Sequence, residues 1–236
     1  MNDLPGYIGL VFLATTIATI SFLFFAVRLT ATNTSKKISL ITLMLLSAWM
    51  LSTFVLARSG FFHQPTALPP RMFFGFLPPL LTIVCLLVIP QSRRFMERIP
   101  ITVLTYTHII RVPVEMVLWW LATYEVAPYL LTFEGVNYDI LSGVTAPFVA
   151  IFFVGVKRKN RIAAMMWNVA ALGLLINVVG HAVLSIPSPI QAISFDQPML
   201  AVLHPPYIWL PTVVVPIVLW SHMVGLLQLI RNEDSA

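Results

Sequence analysis

TYTHIIRVPVEMVLWW, residues 105–120, is apolar enough to lie in a bilayer and yet carries His108, Arg111 and Glu115. On a helix turning ~100° per residue, offsets of three, four and seven put all three on one face, within roughly 60° of arc. Ionisable groups inside a membrane span are costly, face the bundle interior or a wet cavity, and are usually paired. Arg111 and Glu115 stand i and i+4 and are expected to neutralise each other. Pro113, between them, lacks a backbone donor and leaves the carbonyl of Ile109 free, so the helix is expected to kink there or that carbonyl to accept another bond. The stretch marks where polar chemistry belongs without specifying a reaction.

The composition agrees with a membrane setting. The chain has 236 residues, 58% of them hydrophobic and only 10% charged, against about 25% charged in a soluble domain. The net charge of +5 does not suggest nucleic acid, because the basic residues are not gathered into a patch or arm. They recur in short connections between apolar runs, as membrane orientation requires. The lone Cys85 excludes an intrachain disulfide. The N-terminal MNDLPGY has no basic region, so the first apolar run is read as a retained span.

Apolar runs of span length fall near residues 7–27, 38–57, 72–90, 100–122, 139–156, 162–185 and 207–230. The expected fold is all-α, a single polytopic bundle of seven transmembrane helices over residues 1–236. Arg28, Lys36, Lys37, Arg93, Arg94, Arg98, Lys157, Arg158, Lys159, Arg161 and Arg231 lie in alternate connections, eleven of the fourteen basic residues. The opposite connections hold only Arg58 and Arg71, with Glu125, Glu134 and Asp196. The positive-inside rule then puts the N-terminus outside and the C-terminus in the cytoplasm, in a bacterial-type inner membrane. Prolines are expected to break several spans: Pro78 and Pro79 the third, Pro113 the fourth, Pro147 the fifth, Pro211 and Pro216 the seventh.

Further polar residues fall where a column is geometrically feasible. Asn177 and His181 share a face of the sixth span, with Asn168 deeper, and His222 lies on the seventh at the depth of His108. His108, Arg111, Glu115, Asn177, His181 and His222 are therefore the candidate solute or proton site. Glu134, Asn137 and Asp139 are expected at an outer mouth, where residues 123–138 and 186–206 either cap the bundle or admit a solute. His63 and His204, in outer connections, are given no special role.

All four lysines lie in expected cytoplasmic connections, so no span offers a Schiff-base amine for retinal. A zinc hydrolase would need three or four converging ligands, and His222 has no histidine partner on its own span. No nucleotide loop, nucleophile elbow or cysteine motif is present. RVPVE (111–115) and FEGVNYDILSGVTAP (133–147) resemble a bacterial family of small, functionally uncharacterised seven-helix membrane proteins. The resemblance covers the fourth and fifth spans and implies no activity, cofactor or catalytic residue.

The leading expectation is a non-enzymatic transporter or binder of a small polar or anionic solute, or of a proton. Arg111 would supply charge for an anion, and Glu115 would take up a proton as its partner leaves. No cofactor is expected. The alternative is a haem b or divalent-metal protein using His108, His181 and His222. A third reading is a receptor or scaffold that binds through its outer loops. The expected partners are the lipid bilayer, a small solute or ion and, as an open option, a second copy of the chain.

Overall fold

The structure is a computed structural model that describes residues 4–30, 34–155 and 160–231. Those residues form helices and connections, with no strand among them. In order they are α1 (Gly6–Arg28), α2 (Ser35–Arg58), α3 (Phe73–Val88), α4 (Pro90–Met96), α5 (Ile101–Thr107), α6 (Arg111–Thr123), α7 (Ile140–Phe152), α8 (Arg161–Ser185) and α9 (Val215–Arg231). A 3-10 turn, His108–Ile110, joins α5 to α6, and a π-helical turn, Leu210–Val214, leads into α9.

Five stretches are long and apolar enough to cross a membrane: Gly6–Arg28, Ser35–Arg58, Ile101–Thr123, Arg161–Ser185 and Leu210–Arg231. At the place of the expected third span, α3 and α4 meet at 91°, and taken together they make a sixth. At the place of the fifth, α7 has 13 residues. That is ~20 Å of helix at 1.5 Å per residue, short of the ~30 Å hydrocarbon core. Lys157, Arg158 and Lys159 lie outside the described residues.

The prolines do not all break helices as expected. Pro78 and Pro79 sit inside a continuous α3, and Pro147 inside a continuous α7. The sharp bend falls instead at Ile89, whose extended backbone (ψ 118°) precedes Pro90 at the start of α4, since a residue before proline is pushed out of the helical region. Pro113 does not break its span: Ile101–Thr123 runs as one stretch, tightened only into the 3-10 turn just before the proline. Pro216 offers no N–H to the carbonyl of Thr212, and the Trp49 indole donates to that carbonyl at 3.1 Å. Trp209 Nε1 donates in return to Met50 O, also at 3.1 Å. Two indoles thus pin α2, whose surface is otherwise largely exposed, to the π-helical turn.

Ile101–Thr123 and Leu210–Arg231 are the most buried spans. Around them α5 packs on α9, α1 and α7; α6 packs on α1 and α7; α8 packs on α9 and α7. One end of the bundle is basic. There Glu97 pairs with Arg93 and Arg231, Gln228 donates to Met96 O and Ile99 O, and Arg161 donates to Leu229 O and Ile230 O. The opposite end is covered by residues 124–139 and 186–209. Gln197 ties these two segments by donating to Ala122 O and Ala127 O, while Val126 O accepts from the amides of Leu200 and Ala201. Ala127, Leu131, Met199 and Ala201 of these segments are fully buried.

Candidate functional site

Arg111 begins α6 directly after the 3-10 turn and is 2% exposed. Its Nη2 meets Asp139 Oδ1 at 2.9 Å and donates to Ala171 O of α8 at 3.1 Å. The expected Arg111–Glu115 pair is therefore replaced. Among the described residues, the ion partner of Arg111 is Asp139, and Glu115 instead accepts from the Asn137 amide at 2.7 Å. The cause lies in packing. A Cβ on Gly143 would come within 2.8 Å of Val112 Cγ2 and 3.0 Å of Val112 N. Only a glycine lets the first turn of α7 approach α6 this closely, and that approach carries Asp139, four residues earlier, to the guanidinium.

The loop before α7 folds into the bundle. Asn137 and Asp139, expected at an outer mouth, are 1% and 4% exposed. Asn137 donates to both Glu115 Oε2 and Leu131 O, and its own Oδ1 accepts from the Asp139 amide. One buried amide thus holds the Glu115 carboxyl and the backbone of Asp139. Glu134 alone of that expected trio stays exposed, accepting from Tyr129 and Trp119. This bond to the carboxylate pushes the Tyr129 phenol above its usual range. Asp196 is exposed as well.

One turn toward the basic end, His108 and His222 stack with ring centroids 4.0 Å apart, and Trp167 packs edge-on to His108 at 5.4 Å. His222 Nδ1 lies 2.9 Å from Asn168 Oδ1, and with that oxygen as acceptor the ring donates from Nδ1. His108 and His222 are at matched depth, as expected. They do not fit a haem iron between them, because axial imidazoles point their nitrogens across a porphyrin, whereas these rings lie face to face in contact. His181 does not join them. Its Nδ1 contacts Asn177 O of its own helix, and the Asn177 amide donates to Val136 O. Among the described residues no three His, Cys, Asp or Glu side chains gather as metal ligands do. The column thus divides: His108, Arg111, Glu115 and His222 converge with Asp139 and Asn137, while Asn177 and His181 stay apart.

Two histidines given no role are also brought together. His63 and His204 place their Nε2 atoms 2.8 Å apart, one ring donating to the other. Burial and the neighbouring His63 hold His204 below its ordinary value. Their separation of 141 residues hid the contact from sequence reasoning. Gly143 carried a readable signal, since it falls i+4 from Asp139 on the same helical face.

A pocket, part of it open to the outside, lies against the charged cluster. Its walls come from α6, the first turns of α3, the C-terminal half of α8 and residues 210–218, and residues 186–202 form its lid. Arg111, Glu115, Asp139 and Ser188 are its only polar lining residues; the rest are aliphatic side chains, phenylalanine, methionine and proline. A family described as a domain of unknown function (DUF8737) matches residues 69–230, more than half of the chain, and the chain belongs to that family. Every residue of the pocket lies within the matched segment. No curated protein and no solved structure matches the chain.

Proposed function

We propose that this chain is a non-enzymatic integral membrane protein that binds, and by binding carries, a small molecule in the pocket beside Arg111, Glu115 and Asp139. The observation that supports this most is a buried charged cluster at the wall of an apolar pocket. Ionisable groups at membrane depth are expensive and mark ligand or proton pathways. Pockets with apolar walls and a few convergent polar groups are the usual form of a small-molecule site. An anion is a poorer fit than sequence reasoning implied, because Asp139 already answers the charge of Arg111.

In the membrane we place seven spans, with α3 and α4 as one broken span and α7 as a short one. The basic end faces the cytoplasm, the N-terminus lies outside, and the membrane is a bacterial-type inner membrane. The clustering of Arg93, Arg161 and Arg231 at one end supports this orientation. A reporter fused after residue 236 is expected to be active only in the cytoplasm.

The binding reading is tested by thermal-shift screening of the purified chain against amphipathic molecules of differing charge. Val179→Trp, which puts a bulky ring into the pocket from α8 and leaves the charged residues in place, is expected to abolish any shift. A ligand that still stabilises this variant as strongly binds elsewhere and overturns the reading.

A further inference from the structure

We infer that the occupant of this pocket is a lipophilic cation, an amine or onium centre on an apolar body, held at Glu115 in exchange for a proton. The inference deepens the pocket reading and rests on it. Three ionisable side chains line the pocket, two acidic and one basic. Asp139 is the ion partner of Arg111 at 2.9 Å, so by charge count one acid among the three, Glu115, is in excess. Its hydrogen-bond partner, the Asn137 amide, is uncharged. Among the described residues no other element lines the pocket with a cation: α3, α8 and residues 210–218 contribute only uncharged residues to it. On the far face, α1 carries no charged residue before Arg28. His108 and His222 lie a turn away, beyond Arg111, engaged with each other and with Asn168.

A carboxylate this deeply buried needs a positive partner or a proton. The apolar walls select a bulky hydrophobic body, and the excess acid selects a positive centre. The exchange balances: the protonated carboxyl releases one proton as the cation arrives, and recovers it as the cation leaves. Asp139 does not take this role, because its loss of charge would leave Arg111 unpaired.

The test uses the full chain in nanodiscs of zwitterionic lipid, with empty nanodiscs as the partition control. Tetraphenylphosphonium and tetraphenylborate, alike in shape and opposite in charge, are compared with neutral triphenylphosphine oxide by equilibrium binding. Tetraphenylphosphonium is expected to bind at least tenfold more tightly than the other two. Its affinity is expected to fall as pH falls, with about one proton released per cation bound in weakly buffered solution. Glu115→Gln is expected to weaken it at least tenfold and abolish the proton release, whereas Glu115→Asp retains the release. A folded Glu115→Gln protein that binds the cation with wild-type affinity overturns the inference. So does preference for the borate or the neutral probe; if that preferred probe is lost in Val179→Trp, the pocket reading survives. Binding of none of the three to folded wild-type protein overturns both.

Discussion

Two polar clusters share the rod Ile101–Thr123, one turn apart, and they are built on opposite principles. At Arg111 the groups are charged, their partners come from a loop and from α7, and the cluster borders a pocket. At His108 the groups are two stacked rings, an amide and an indole, packed between helices and away from the pocket. Burial alone does not separate them, since His108 and Glu115 are each 1% exposed. The difference lies in neighbours. The histidine rings meet aromatic and amide packing partners, whereas the charges at Arg111 border an open apolar volume.

The largest expected effect comes from removing the cation. Arg111→Ala strands the buried Asp139, and loss of one partner from a buried ion pair costs about 3–5 kcal/mol. Adding Asp139→Asn is expected to recover part of that loss in a thermal or denaturant unfolding series. Full additivity of the two substitutions would show that the pair is not coupled. Asn137→Ala comes next. It removes the donor to Glu115 and Leu131 O and the acceptor for the Asp139 amide, at about 1–3 kcal/mol, and it is expected to weaken ligand binding as well.

The histidine cluster should respond differently. A Cβ on Gly225 would lie 2.8 Å from Asn168 Nδ2. Gly225→Ala is therefore expected to displace Asn168 and break its contact with His222, lowering stability by roughly 1 kcal/mol while leaving ligand binding unchanged. If binding falls with it, the two clusters act as one unit. The smallest effect concerns the His63–His204 contact at the loop end. Because His204 is held below its ordinary value of 6.5, the unfolded chain takes up the proton first. The contact's contribution is then full above about pH 6.5 and is lost as pH falls below it. His204→Gln is expected to flatten that part of the melting-temperature profile.

Much of this architecture was legible in the residues. The span-length apolar runs, the matched depth of His108 and His222 and the gathering of basic side chains at one end all follow from local pattern. Hydropathy and helical periodicity report what a segment does alone, and each of these is such a property. The partner of Arg111 was not legible. Spacing favoured Glu115, four residues on, but a glycine in α7 and a loop folded inward delivered Asp139 instead. Pro78, Pro79 and Pro147 likewise read as breaks yet lie within continuous helices.

The sequence by itself determined that the chain is helical, apolar and furnished with a few ionisable residues inside span-length apolar runs. Only the tertiary structure decided which of them meet, which carboxyl is left over and where a pocket remains. The physical reason is range. Hydrophobic pattern acts over a few turns of one helix, whereas charge pairing in a medium without water depends on close contacts between helices far apart in sequence.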